Sequence, residues 1–540
     1  MLDVLLIQPP IRDFYLTQKR TYPYGLVSIA SSLRREGFSI AILDALATSK
    51  TKKIDLPEEM NYLLPYYGKI DISPIGLFHG YKHFGYSFEH IGKVTKDLKP
   101  RLAGISSLFT PYSGEAIECA RTIRKFLPDA KIVLGGHHPT ELPDEIMKYD
   151  FIDFVIRGDG EGCMPSLLKS LKGELSIESV PGLVYRRGER EVIKSIPYYK
   201  EKLDEKPHEA DELVIHSFYR QKNGARSVVV ASRGCPFECS YCSIGRPSGV
   251  PYRLRSASSV WDEIRFKIDN QKTRFIDFED ENLALDKTWF LTILKKISST
   301  YSAGKIELRA MNGLQPRTLD EEVVLAMKNS GFKILNLSLG SSKTYLLKRF
   351  RRTDERAYLD RALELAGLNS MKAVVYMIVG APDQSPEDSV DDLCYLAERK
   401  LLLGVSVFYP APGSADYSLC LKKGLLPLHF SQMRSTALPI SDLTTRDDSV
   451  TLLRLGRIIN FIKQIIDNGI EISSLYKNYP QEDLKSVDNL NRGLILTSLF
   501  LNDGKIRGID ENGRLYEHQV SRKVCDAFLN RFDPERMKGT

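Results

Sequence analysis

Three thiols fall close together in the stretch ASRGCPFECSYC, residues 231–242, where Cys235, Cys239 and Cys242 form a C-x3-C-x2-C run. Thiolates ligate zinc and iron-sulfur clusters. A closed structural zinc site takes four ligands in a tetrahedral shell. Here the nearest upstream histidine is His216 and the next downstream is His429, so a zinc site would need a distant fourth ligand. A four-iron cluster held by three thiols instead leaves one iron open to something else. The spacing alone leaves both possibilities standing.

The other cysteines, Cys119, Cys163, Cys394, Cys420 and Cys525, are scattered and read as small buried hydrophobes. His79 and His83 stand four apart, as two ligands on one helical face would, but Gly80 and Gly85 argue against a continuous helix there. No other residue pattern singles out a catalytic side chain.

The elements that must carry these residues fall into two series. In the first 160 residues, strand candidates at 3–8, 39–43, 101–107, 130–135 and 151–157 alternate with amphipathic helices such as those beginning at Tyr24 and Ser113. This βαβ rhythm predicts an α/β fold with a doubly wound parallel sheet. Residues 46–98 interrupt it with a long aromatic, glycine-containing insertion, and 158–226 read as a connector with a hairpin at GLVYRRGEREVI. A second series begins at 227, with strands at 227–232, 274–279, 305–310, 333–339, 372–379 and 404–409. Six βα units predict a partial, TIM-like barrel whose ligands gather at the C-terminal strand ends. The cysteines follow its first strand directly. The tail from 425 carries an amphipathic helix with Leu452, Leu455, Ile459, Ile462 and Ile466 in one stripe, expected to pack on the barrel, and a small β segment.

At 540 residues the chain is long enough for two or three domains. The expected division is 1–160, a Rossmann-like sheet; 161–226, the connector; 227–424, the partial barrel; and 425–540, a small α+β accessory region. The 76 basic and 69 acidic residues give a net charge of +7, which lends no support to a nucleic-acid partner. MLDVLLIQPP lacks the pattern of a signal peptide and no apolar run is long enough to span a membrane, so a soluble, cytoplasmic protein is expected.

The cysteine run, with Tyr241 just before its last thiol, resembles the signature of the radical S-adenosylmethionine (SAM) superfamily. The resemblance extends over 227 to about 415. It implies a 4Fe-4S cluster on Cys235, Cys239 and Cys242 whose open iron is chelated by SAM. One-electron reduction, by a donor such as flavodoxin or ferredoxin, then yields a 5'-deoxyadenosyl radical. It further implies SAM contacts from Tyr241, from Glu279 or Asp280 after the second barrel strand, from Arg309 after the third, from Gly380 after the fifth and from Tyr409, beside Pro410, after the sixth. Relatives carry a Glu-Ser pair after the fourth strand, whereas this chain has Gly340 at the acidic place, leaving Ser338 and Ser341 as hydroxyl donors.

Ahead of the barrel, YPYGLVSIASSLRREG, LAGISS, VLGGHHPT and VIRGDGEG resemble, in order, the cobalamin-binding domain of cobalamin-dependent radical SAM enzymes. The implied cobalamin lining is Gln8 and Pro9 after the first strand, Ser106, Ser107 and Thr110 after the third, and Gly135, Gly136 and His137 after the fourth. No D-x-H-x-x-G motif is present to supply cobalt with a histidine. The architecture implies methylation of an unactivated carbon through methylcobalamin and the deoxyadenosyl radical, with the strand-end surfaces of the two domains facing each other. An oxidative cyclase or ring-rearranging enzyme without methyl transfer, and a non-enzymatic cobalamin or redox sensor, are the alternatives. Transfer RNA methylthiolation would require three further N-terminal cluster cysteines, and only Cys119 and Cys163 lie there. The substrate, whether a peptide, lipid or other small molecule, has no readable motif.

Overall fold

The computed structural model describes residues 2–14, 22–78, 80–188, 191–205, 207–221, 224–437, 439–477 and 484–540. Seven strands form the first sheet: β1 (Val4–Gln8), β2 (Ile40–Asp44), β3 (Leu102–Ser106), β4 (Lys131–Gly135), β5 (Phe154–Ile156), β6 (Leu183–Arg187) and β7 (Glu191–Lys194). Their order is β7-β6-β5-β4-β3-β1-β2, parallel from β2 to β5 and antiparallel thereafter. The hairpin assigned to the connector therefore extends the first sheet. Both faces of the parallel part are covered by helices, which is why β1 reads as the unbroken apolar run VLLIQ. The strand order reverses at β1, with β2 on one side and β3 on the other, and ligands of doubly wound sheets sit at such a switch point, beyond the strand ends.

Six strands form the second unit: β8 (Gly224–Val229), β9 (Thr273–Phe278), β10 (Glu307–Arg309), β11 (Ile334–Gly340), β12 (Lys372–Val379) and β13 (Leu402–Val407). They pair in parallel as β8-β9-β10 and β11-β12-β13. The two halves are linked by single bridges, Leu308 to Phe332 and Leu314 to Leu337. The result is the expected partial barrel. Its open edge at β13 needs cover, because an exposed strand edge leaves backbone groups unpaired. The helix Arg446–Asp467 supplies it: Leu403 N–H donates to Asn460 Oδ1 at 2.9 Å, and Asn460 Nδ2 donates to the Leu403 carbonyl at 2.8 Å. Leu452, Leu455, Ile459 and Ile462 on this helix are fully buried. The tail shares one continuous apolar core with the barrel, so it does not fold around a core of its own.

The 46–98 insertion contributes two strands, Thr51–Ile54 and Tyr81–Phe84, to a small antiparallel sheet with Ile11–Asp13. His83 lies on one of these strands with Nε2 at 3.0 Å from the Tyr86 carbonyl, which rules out the helical His pair; His79 lies outside the described residues. Phe14, Tyr67 and Tyr81 pack together against Ala437 and Val450, fixing the insertion to the tail helix.

Candidate active site

The cysteine loop is anchored from below by one buried carboxylate. Asp280 accepts hydrogen bonds from the Ala231 N–H at 3.1 Å, the Ser232 N–H at 2.5 Å and the Ser232 hydroxyl at 2.6 Å. It is therefore committed to the turn leaving β8. Burial raises its pKa to about 6 against these bonds. The expectation that Asp280 meets the SAM amine is corrected accordingly. Gly234 follows at φ +75°, where a Cβ would lie 2.3 Å from the Pro251 carbonyl, so only glycine fits. The loop then closes on itself through Cys235 N–H to the Ile244 carbonyl (3.2 Å), Arg246 N–H to the Phe237 carbonyl (3.1 Å) and Cys242 N–H to the Cys239 carbonyl (3.1 Å).

All three thiols are half-exposed. Burial raises the Cys235 pKa and pushes Cys242 up to about 12, so a bound metal must itself displace the protons. Among the described residues no three His, Cys, Asp or Glu groups gather about a single metal position, so no closed zinc shell is preformed. Three separate thiols on one exposed loop suit a cluster, in which each iron takes its own protein ligand. Of the three consecutive acidic residues, Glu281 is the one whose charge bears on Cys235 and Cys242. It is open to solvent within a recess crowded by protein. Burial, then Asp280 and Glu279, raise its pKa to about 7. Glu279 is half-buried, with its pKa raised by burial and by Asp277 and opposed by Arg226 and a bond from Asn312.

Tyr241 turns its ring edge-on to Phe350 at 5.6 Å and accepts a hydrogen bond from Arg352 Nη1 at 2.8 Å. Arg352 Nη2 also donates to the Ser338 carbonyl (2.9 Å) and hydroxyl (3.3 Å). Its stem passes Gly340, whose absent Cβ would lie 3.4 Å from Arg352 Cδ. A guanidinium thus occupies the surroundings of the missing family glutamate. Ser341 is spent on Asp392 at 2.7 Å. Arg309 is half-buried over the Phe275 ring at 4.8 Å and pairs loosely with Glu307 at 3.7 Å, away from the cysteine loop contacts. The Cβ position of Gly380 faces Ser449, Pro439 and Thr444, so its positive φ of 70° serves packing by the tail. Tyr409 is exposed beside buried Pro410.

In the first sheet, Gln8 Nε2 donates to Asp44 at 3.2 Å, and Pro9 is half-exposed at the switch point. Ser106 ends β3 beside Gly135. Ser107 is buried and its hydroxyl has no partner among the described residues. The site for a Cβ on Gly135 is open, with Ile156 at 3.9 Å, whereas on Gly136 it would lie 2.6 Å from the Ser107 carbonyl. Gly135 thus leaves room for a ligand and Gly136 shapes the loop. Thr110 pairs with His138 Nδ1 at 3.2 Å. The Nε2 atoms of His137 and His138 are buried without a partner among the described residues. Burial, then His137, lowers the His138 pKa to about 4, keeping that imidazole neutral. Leu108 and Phe109 stand 49% and 45% exposed beside these groups. Orphaned polar atoms, an open glycine and uncovered apolar side chains together fit a large, mixed-polarity ligand.

The two strand-end surfaces meet. His137 bonds to the backbone of Pro412, and a Cβ on Gly413 would lie 2.4 Å from Glu141 Oε2. Below them Arg233 pairs with Asp159 at 3.1 Å and with Glu161 at 2.5 Å, while Arg253 pairs with Asp159 and donates to the Lys200 carbonyl at 2.8 Å. The GDGEG stretch is thus a clamp between the units.

The radical SAM superfamily model matches residues 229–393, and a B12-binding domain model matches 82–168. The chain thus carries a radical SAM domain and a B12-binding domain, in the order that the two strand series lead one to expect. An uncharacterized methyltransferase of Pyrococcus horikoshii is 23% identical to it over 471 residues, covering 86% of this chain and 93% of the relative. The hopanoid C-3 methylase of Methylococcus capsulatus is 24% identical, with 74% and 68% covered. The anaerobic magnesium-protoporphyrin IX monomethyl ester cyclase of Cereibacter sphaeroides is 23% identical, with 56% and 50% covered. Among solved structures, the radical SAM methyltransferase TsrM of Kitasatospora setae, with cobalamin and a [4Fe-4S] cluster bound, superposes with a TM-score of 0.59 at 17% identity over 78% of each chain. The chain and this neighbour share their fold. Arg352 and Glu281 escape the sequence reading because their roles depend on partners brought in by folding.

Proposed function

We propose that the enzyme methylates an unactivated carbon, using SAM, a 4Fe-4S cluster and cobalamin. The observation that carries this reading is the placement of the cysteine loop at the C-terminal end of β8, joined through the His137–Pro412 contact to the strand ends of the B12-binding sheet. The bound groups would supply a 5'-deoxyadenosyl radical and a transferable methyl group. The chain's part is to hold and space them. Cys235, Cys239 and Cys242 would ligate the cluster. Glu281, with Glu279 behind it, would meet the SAM amine, and Arg352 its carboxylate, since a guanidinium matches carboxylate geometry. Gly135, Ser107 and His137 would line the cobalamin tail, and Leu108 and Phe109 would lie against its apolar surface. Tyr409 would wall the space between. A one-electron carrier such as flavodoxin or ferredoxin would provide the electron.

The methylase names among the relatives favour methyl transfer, and the cyclase relatives support a second reading in which a ring closes without it. Anaerobic reconstitution followed by absorption and paramagnetic resonance spectra tests the cofactor assignment. Product analysis then separates the two readings: S-adenosylhomocysteine together with 5'-deoxyadenosine supports methylation, and deoxyadenosine alone overturns it.

A further inference from the structure

Immediately behind the cysteine loop the sequence reads KRFRR, residues 348–352, four cations in five positions. The segment divides its work by residue. Phe350 offers its carbonyl to the Ser240 N–H at 3.0 Å, inside the cysteine run. Arg349 Nη1 pairs with Asp416 at 2.7 Å, and the Asp416 N–H returns a bond of 2.9 Å to the Ser240 carbonyl. Arg352 holds Tyr241. Lys348 and Arg351 do none of this: both are exposed and unpaired among the described residues. Arg351 sits at φ +54°, the left-handed turn that closes the helix Thr344–Arg349 and separates it from Arg352.

Two further cations stand on the same rim. Arg317 lies over the Phe237 ring at 4.6 Å, and Arg246, whose side chain is 78% exposed, bonds through its N–H to the Phe237 carbonyl. Of the carboxylates near them, Glu238 lies 3.9 Å from Arg246, Glu281 faces the thiols, Asp383 is shared between Lys423 and Arg349, Asp354 is paired to Arg356, and buried Glu355 faces Arg317 at 3.4 Å. The rim around the thiols thus carries a positive excess led by Lys348 and Arg351.

We infer that this basic rim is the docking surface for an acidic one-electron carrier, and that Lys348 and Arg351 steer it. The inference rests on the reading of Cys235, Cys239 and Cys242 as cluster ligands. Complexes of redox carriers bury little surface and are guided by charge. The rim also gives a bonded route inward, from the Phe350 carbonyl through its hydrogen bond from the Ser240 N–H to the residue following Cys239. In the step itself the reduced carrier loses one electron to the cluster, and no bond or proton is exchanged.

The test uses a bacterial flavodoxin in its hydroquinone form with wild type, Lys348→Glu and Arg351→Glu. Neither substituted side chain touches the loop, so the fold should persist. At low ionic strength each variant should slow cluster reduction by flavodoxin about tenfold, and the difference should shrink as salt is added. Reduction by dithionite, which needs no docking, should be unchanged. Binding of oxidised flavodoxin to the cluster-free chain should weaken in parallel. Variants that bind flavodoxin and accept its electron at wild-type rates would overturn the inference. Failure of dithionite to reduce any cluster would sink the functional reading instead, while the cluster-free binding measurement still decides the docking surface.

Discussion

Arg233, just ahead of Cys235, forms an ion pair with Glu161 of the B12-binding sheet's last βα turn, and both side chains are largely buried. Burial alone would raise the Glu161 pKa, yet the Arg233 guanidinium beside it holds the carboxyl well below the usual carboxylate range. The pair therefore ties the position of the cysteine loop to the neighbouring domain. Arg233→Ala would leave Glu161 without its cation and Asp159 with Arg253 alone, a loss of about 3 kcal/mol for a buried pair broken on one side. Chemical denaturation of the cluster-free protein should show this loss, and limited proteolysis should show faster cleavage within the connector. An Arg233→Ala protein as stable and resistant as wild type would remove the clamp from the account.

Asp280 and Glu281 are adjacent but should behave differently when substituted. Asp280→Ala strands the N–H groups of Ala231 and Ser232, each a buried donor worth about 1–3 kcal/mol when unpaired. The expected result is a lower melting temperature and poor retention of iron and sulfide. Glu281→Gln should keep the fold and the iron content while weakening SAM binding about tenfold, as one missing ionic contact to an ammonium would. Calorimetric titration with SAM and iron analysis on the same samples check both outcomes.

The acidic triplet also marks where sequence reading stops. Alternation along a strand tells that neighbouring residues point to opposite faces, but beyond the end of β9 the chain turns and that rule lapses. Which carboxylate faces the thiols is then decided by Ser232, nearly fifty residues away. The cysteine run was legible because all three thiols and the preceding strand are local. So was the doubly wound sheet, since each strand is a short apolar run between amphipathic helices. Gly380 shows the opposite dependence: Pro439, Thr444 and Ser449 face it from a distant segment that no local pattern announces. Arg352 escapes a sequence reading because its hydrogen bonds to Tyr241 and Ser338 join the cysteine loop, β11 and its own loop, segments far apart in the chain. The tail's stripe of Leu452, Leu455, Ile459 and Ile462 announced a packed helix, but not that Asn460 on the same helix would complete the edge of β13.

Glu115 gives the fold a pH dependence that can be measured. It is 5% exposed, and burial raises its pKa from 4.5 to about 7, against the pull of Arg434 and Arg12 and with Glu118 adding to the rise. A carboxyl whose folded pKa is raised contributes stability that is complete below its unfolded value and is lost as pH climbs through the folded one. The loss should therefore occur between about pH 4.5 and 7 and amount to roughly 3 kcal/mol. Glu115→Gln removes the titration, so the variant should melt higher than wild type at pH 8 and close to it at pH 5. Equal melting curves at pH 8 would show that the carboxyl is not held neutral.

Separate anchoring of the two cofactors leads to a final expectation, argued from the division between the cysteine loop and the β1/β3 crevice. Cys239 contributes to the loop alone, and no contact joins its side chain to Ser107, Gly135 or His137 among the described residues. Cys239→Ala should abolish the cluster's absorption and all 5'-deoxyadenosine formation. Cobalamin should still bind in about the wild-type ratio, because the strand-end lining of the first sheet is untouched. Gly135→Val provides the reciprocal case: its side chain would project into the open space beside Ile156, so cobalamin content should fall while the iron content stays. Corrinoid and iron analysis of both variants decides between independent sites and a single coupled one, and joint loss of both cofactors in either variant would favour coupling.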